Sequence, residues 1–371
     1  MDAEQFDSLS RSLFVRRSRR AAAGWLGGLA VPLLGWTGGD AKKKRRKKRK
    51  KHKGRGKKPA CTSRCDRCGA GDGCGGQCNC AAGSICLDGV CRPCDVVHNG
   101  DNVASGNALR QKLAVPLDDD SFVYVCPGRY VGYFVHAGGN LVGAGDGADP
   151  ATNTILDLAG GSVPGSAKAV FAVGAGKVSR VSQVRVTGST QTLTHGVLVP
   201  SGAHLTLQDS TVTGNKGPGV SGLDLRGSFE LVDCTISDNG STTQELPYAY
   251  FGGGIHAANT LVSDLIGCRI TGNMSGGVGG GGVYTEYGDL NIFNTEITGN
   301  EAPGSQGRGG GIYQVGGSIV LRADTRITGN TAGAPNGGGG ICRQDGTIDW
   351  QGPTVSGNQP NNCVGVSQCA G

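Results

Sequence analysis

GGGIYQVGGSIVLRADTRITGN, residues 309–330, opens on glycines, runs through two short apolar pieces and closes on Thr-Gly-Asn. The outline recurs on both sides. Aligned on the closing residue, the blocks are LTLQDSTVTGN (205–215), FELVDCTISDN (229–239), SDLIGCRITGN (263–273), LNIFNTEITGN (290–300), VLRADTRITGN (320–330) and IDWQGPTVSGN (348–358). SRVSQVRVTGS (179–189) ends on Ser instead. Successive closing residues lie 26, 24, 34, 27, 30 and 28 positions apart. Three residues before each end stands a Val or Ile, from Val186 to Val355. A second landmark, Gly-Gly-Ile or Gly-Gly-Val, follows the gaps at Ile255, Val283, Ile312 and Ile341.

Within a block the apolar residues alternate, as Leu205 and Leu207 do, which is strand periodicity with one buried face. No helix-length pattern separates the blocks. A unit of about 25–30 residues with such short strands cannot bury its apolar face alone, so it must stack on copies of itself. The expectation is an all-β, parallel β-solenoid, with rungs about 4.8 Å apart. The glycines are read as tight turns of positive φ. Insertions such as GSTTQELPYAYF (240–251) become loops on one edge. Stacking also places Asn215, Asn239, Asn273, Asn300, Asn330 and Asn358 in one column, a structural ladder of side-chain amides. Cys234 and Cys268 share a column and read as buried thiols, with a bond between rungs as the alternative. Residues 105–114, with Leu109 and Leu113 on one side, are expected to form a helical N-terminal cap. FVYVCPGRY (122–130) would be the first rung, and Cys363 with Cys369 a closing disulfide.

The alternation of Gly-Gly-Ile/Val with Ile-Thr-Gly-Asn resembles the repeats of polymorphic outer-membrane-protein-like and other right-handed parallel β-helix proteins. The resemblance covers residues 169–358 closely and 95–168 loosely. It implies a secreted or surface location with adhesive or glycan-contacting roles. The N-terminal layout resembles that of exported bacterial proteins.

Four segments follow: a signal at 1–41, a basic linker at 42–60, a Cys-rich segment at 61–94 and the β-helix at 95–371. Arg16, Arg17, Arg19 and Arg20 precede an apolar stretch at 21–36, the pattern of an export signal, too short and glycine-rich for a membrane span. Ser18-Arg19-Arg20 is similar to the core of a twin-arginine signal, with Ala22 and Ala23 where Phe and Leu are usual. No transmembrane span is expected in the mature chain. Residues 42–58 hold fourteen Lys or Arg and no acid. Residues 1–41 add one net positive charge, so the total of +7 leaves −8 for residues 59–371. The basic run is expected to be disordered, extended by its own repulsion. Anionic cell-surface polymer or lipid headgroups are the favoured contact, ahead of a plain linker. Nucleic acid ranks last, because no aromatics interleave the lysines. The Cys-rich segment packs nine cysteines into thirty-four positions with almost no apolar residues, so it needs staples. Disulfides are favoured over zinc, although Cys65-x2-Cys68 and Cys91-x2-Cys94 have ligand-like spacing. The ninth cysteine must pair elsewhere or stay free, and Cys126 is the nearest outside candidate.

For a site, the residues after the glycine landmarks are His256, Tyr284, Tyr313 and Cys342. They are expected to face outward, and the first three form a candidate sugar-stacking strip. Tyr248, Tyr250 and Phe251 lie in the loop nearby. His256 has no acid in its own motif, so it reads as no catalytic dyad. Asp209 and Asp233, on adjacent rungs, are weak candidates for a shared calcium ion, with exposed turn residues as the plainer reading. No cofactor is otherwise implied. Asn294-Thr295-Glu296 and Arg326-Ile327-Thr328 only partly echo the polygalacturonase pattern, without its Asp-Asp or Gly-His-Gly. The sequence therefore favours a non-enzymatic surface or extracellular protein that binds glycan or cell-surface polymer. A polysaccharide lyase or glycosidase, and a purely structural spacer, are the alternatives.

Overall fold

The computed structural model describes residues 68, 80–118, 120–159, 168–217, 219, 222–241 and 252–369. The segments expected to be an export signal and a basic linker, most of the Cys-rich segment and the aromatic loop residues Tyr248, Tyr250 and Phe251 lie outside them. Cys61–Gly371 forms one compact unit.

Three nine-stranded parallel sheets wind around one core. The first sheet holds the opening strand of each block, such as His204–Gln208. The second holds the closing strand, such as Thr211–Thr213, and the third the strand after the glycines, such as Ile312–Gln314. Like residues stack in register. Leu207, Leu231, Leu265, Ile292 and Leu321 pair rung on rung in the first sheet. The Val/Ile landmark stacks in the second, from Val212 through Ile236, Ile270 and Ile297 to Ile327. All of these are 0–1% exposed, which is how units too small for a core share one.

The Asn residues stand one above another at the turn from the second sheet to the third. Each Nδ2 donates to the next Oδ1 at 2.9–3.0 Å, from Asn215 up to Asn358. Each also accepts the preceding backbone N–H, as Asn300 does from Asn273 at 3.0 Å.

The glycine landmark has another cause than the one read from sequence. The Gly of Thr-Gly-Asn does take positive φ, as at Gly299 (φ 63). The Gly-Gly pair does not rest on turn geometry. A Cβ at Gly281 would lie 2.5 Å from the Glu301 carbonyl, and one at Gly282 would lie 2.7 Å from that of Gly311. The pair is needed because backbone from the adjoining turn lies directly against it.

The N-terminal cap is helix α1, Asn102–Leu113, which starts three residues before the expected 105. The Asp101 carboxylate accepts the N–H of Val103 and Ala104 at 2.8 and 2.9 Å, an N-cap ahead of the expected start. Gly106 lets α1 sit on the first rung, where a Cβ would meet the Val131 carbonyl at 2.1 Å. Leu109 and Leu113 are fully buried.

A hairpin of Ser84–Leu87 and Val90–Pro93 precedes the cap. Disulfides join Cys68 to Cys86 and Cys80 to Cys91. Cys94 pairs with Cys126 on the first rung, so the odd cysteine of the segment does reach outside it. Cys363 pairs with Cys369. Cys234 and Cys268 are free and buried, with no bond between the rungs.

Candidate functional site

Two places on the solenoid surface gather polar side chains. The first is the outer side of the third sheet. Strand pairing runs one column through Asp224, His256, Tyr284, Tyr313 and Cys342. The side chains expected to face outward do point away from the core. They are nevertheless only 2–4% exposed. His256 stacks on Tyr284 at 5.3 Å between centroids, and Tyr284 meets Tyr313 at a tilt with centroids 5.5 Å apart. Val278 and Val315 pack against this column. A Cβ at Gly280 would lie 3.0 Å from the Tyr313 amide nitrogen, so the segment beside the column is pressed close. This is a second, outer core, and a sugar ring finds no open aromatic face on it.

His256 also has the acid partner that its own motif lacks. Asp224, one rung earlier, faces it with Nδ1 and Oδ1 3.0 Å apart. His195 Nε2 lies 3.5 Å from the other carboxylate oxygen, and the Arg226 guanidinium pairs with it at 3.1 Å. Asp224 was legible in principle, since Gly222-Leu223-Asp224 takes the register of Gly254-Ile255-His256. A Ser replaces the first glycine there and hid the match. Burial pushes the Asp224 carboxyl up, but the His256 bond, the histidines and Arg226 outweigh it and hold it at about 2. Burial lowers His195 to about 4 against the opposing charge of Asp224. His195 is therefore neutral at pH 7, and Arg226 with the His256 bond keeps Asp224 ionised. Each histidine engages a different oxygen of the carboxylate, so the three flank one another instead of converging on one point.

The second place is the corner between the first and second sheets. Here an open groove of about 510 Å³ is lined by Arg269, Asn294, Glu296, Asp324, Arg326 and Thr354, with Gly267, Cys268 and Ala323 in its floor. Arg269, Glu296, Arg326 and Thr354 are register partners on four successive rungs. Arg269 Nη2 lies 3.0 Å from Glu296 Oε2. Next to the lining residues Asn294 and Ala323 in the chain, the Arg322 guanidinium lies 4.2 Å over the Phe293 ring. The groove thus offers cations, carboxylates and an amide, with cation and carboxylate alternating from rung to rung.

Asp209 and Asp233 belong to the same corner, further toward the N-terminus. Both take positive φ, 46 and 52, as do Gly267 (64) and Asn294 (45) in the same column. Asp, Asn and Gly recur there because the turn needs a left-handed residue. Asp209 Oδ2 accepts from Gln208 Nε2 at 3.1 Å. Among the described residues, the one group of three or more metal-type ligands is Cys68, Cys80 and Cys91, and its sulfurs are taken up in disulfides.

Sequence reasoning also missed a carboxyl pair on the outer face of the first sheet. Glu230 and Asp264 are register partners on neighbouring strands. Burial raises both, and the Asp264 charge adds to the rise at Glu230. Asn291 Nδ2 donates to Asp264 Oδ1 at 2.9 Å.

A family model described as the right-handed beta helix region matches residues 169–359. The chain belongs to the right-handed β-helix family. No curated protein and no solved structure matches it. The matched residues begin with Ala169–Val173, the third-sheet strand of the second turn, and end just past the last Asn of the ladder. The β-helix and its disulfides fit a surface or extracellular protein, where an oxidising medium keeps such bonds closed. No helix among the described residues is long and apolar enough to cross a membrane.

Proposed function

We propose that this β-helix is an exported, non-enzymatic protein that binds a glycan or cell-surface polymer along the corner groove. The observation that carries this is the ladder of Arg269, Glu296 and Arg326 on successive rungs, open to solvent and facing one channel. A rung repeats about every 4.8 Å, so a linear polymer lying along the axis meets a charged or polar group at each step, with cation and carboxylate alternating. Guanidinium and carboxylate groups suit the hydroxyl and carboxylate substituents of such a polymer. Binding spread over several rungs also explains why no compact catalytic constellation is needed. The strip of His256, Tyr284 and Tyr313 then supports the wall of the solenoid instead of touching ligand. In the export reading, the basic run at 42–58 adds a second, charge-based attachment to anionic polymer.

The test is a glycan array and a depolymerisation screen on the purified chain, with and without calcium. Binding without product is expected, and Arg326→Ala with Glu296→Ala should weaken it by roughly tenfold, about 1.4 kcal/mol. Unchanged binding in that double variant would remove the groove from consideration.

A hydrolytic reading has one observation in its favour, the Glu230–Asp264 pair. Carboxyl groups on neighbouring rungs stand near the roughly 5 Å that retaining glycosidases use, and a raised carboxyl suits a general acid. Product release that stops in Glu230→Gln or Asp264→Asn would favour this reading over the first.

A further inference from the structure

We propose that the corner between the third and first sheets holds a second carbohydrate site, which takes one neutral sugar ring against Tyr287 and Leu261. It lies at the opposite end of the first-sheet strands from the groove and does not depend on the groove reading.

This corner gathers the apolar side chains that water meets most. Leu261 is 77% exposed, Val262 64% and Tyr287 62%, and no other large apolar residue among the described ones exceeds 58%. Every chain connection at the corner, from 137–138 to 344–346, lies among the described residues. The three come from adjacent turns. Ala258 pairs with Glu286, and Ser263 with Leu290. Four residues, 259–262, therefore span a turn that three, 287–289, span on the next rung. The longer turn leaves Leu261 projecting.

Tyr287 is held in place as a platform. It takes the register position of Asn259 with the same left-handed backbone, φ 53 against 52. Gly316 takes that position on the following rung. A Cβ there would lie 2.6 Å from Tyr287 Cδ1, so the ring occupies the space above the glycine.

Beside these residues lies a pocket of about 200 Å³, lined by Ser201, His204, Arg226, Ser228, Asn259 and Leu261. Tyr287 stands one rung from Asn259, and Val262 one rung from Ser228, each about 4.8 Å along the axis. The pocket is polar but carries no uncompensated charge. Arg226 is half-exposed and pairs with Asp224 at 3.1 Å. Burial and the Arg180 charge lower His204, so its ring is neutral at pH 7. His204 Nδ1 lies 2.8 Å from Ser228 Oγ. A ligand thus meets hydroxyls, an amide, an imidazole and the outer N–H groups of a paired guanidinium.

That mixture selects the occupant. A carboxylate or phosphate would find no free cation in the lining. Neutral donors and acceptors beside an open aromatic ring suit a ligand with hydroxyls around its edge and C–H bonds on its face, because the π-face is the negative one. The volume falls below the roughly 300 Å³ at which sites for drug-sized ligands begin, so the pocket takes one ring and not a chain.

The experiment is saturation-transfer NMR on the purified full chain with the methyl glycosides of glucose, galactose, mannose and N-acetylglucosamine, and with glucuronic acid as the charged control. The expected result is transfer to at least one neutral glycoside and none to the acid. Tyr287→Asn removes the ring but keeps a residue type that tolerates positive φ. Leu261→Ser removes the apolar wall. Each should weaken binding by roughly tenfold, and both should leave the melting temperature nearly unchanged because the positions are exposed. Transfer to no neutral glycoside overturns the proposal. So does binding that survives both variants in folded form, or binding that accepts glucuronic acid equally well.

Discussion

At the residue scale, the column just inside the corner explains two of the three free cysteines among the described residues. Ser210 donates to Gln208 O at 2.7 Å, and Thr295 donates to Phe293 O at 2.8 Å. Cys234 and Cys268 stand in the same place and donate to Val232 O and Ile266 O at 3.4 and 3.6 Å. The thiols thus do the work of the hydroxyls on neighbouring rungs, closing the carbonyl at a sharp turn. Cys234→Ser should leave the melting temperature nearly unchanged, whereas Cys234→Leu should overfill the corner and cost about 1–3 kcal/mol in denaturant unfolding. Burial pushes the Cys234 thiol well up, so it is mostly unreactive in the fold. Mass spectrometry after alkylation at neutral pH should find Cys234 and Cys268 unmodified until denaturant is added. The Asn ladder is less forgiving. Asn300→Leu strands the side-chain and backbone donors of Asn273 and leaves the Ile270 carbonyl without its partner. Such a loss should cost about 2–4 kcal/mol, read as a lower unfolding midpoint.

At the element scale, the two kinds of glycine separate. Gly299 is needed for its φ of 63, and a Cβ there meets nothing closer than 4.0 Å. Gly281 has an ordinary backbone but lies against the Glu301 carbonyl, where a Cβ would come to 2.5 Å. Gly299→Ala should therefore cost about 1 kcal/mol, the strain of a left-handed residue. Gly281→Ala should cost more, because one rung must move off the next. Equal losses in the two variants would contradict this account. The sequence showed where the glycines recur but not which were turns, because both kinds read alike until the next rung is placed. The same limit hid Asp224. Its partner His256 is thirty-two residues away in the chain and one rung away in space.

At the scale of the whole molecule, the buried histidines make the fold sensitive to acid. Burial lowers His136 and His195 to about 4, against 6.5 in an unfolded chain. Both are neutral in the fold at pH 7. Below pH 6.5 the unfolded chain takes up protons that the folded chain refuses, so stability falls as the pH drops from 6.5 toward 4. Each histidine contributes up to about 3 kcal/mol to that slope. His136 has neither ring nitrogen hydrogen-bonded among the described residues. His136→Phe should therefore flatten the pH dependence of the melting temperature between pH 6.5 and 4. An unchanged slope would place the acid sensitivity elsewhere. Asp224, held at about 2, adds a further loss only below pH 4.

The sequence by itself determined the solenoid, its rung boundaries, the Asn column and the need for caps. Those features are local pattern plus period, and a repeat writes both openly. Only the tertiary structure decided which outward-pointing residues meet water. His256, Tyr284 and Tyr313 alternate as exposed residues would, yet neighbouring segments close over them. Arg269, Glu296 and Arg326 look like ordinary strand positions in each repeat, yet the corner brings them into one open channel. Exposure is a property of what packs against a surface, and segments far apart in the chain decide it.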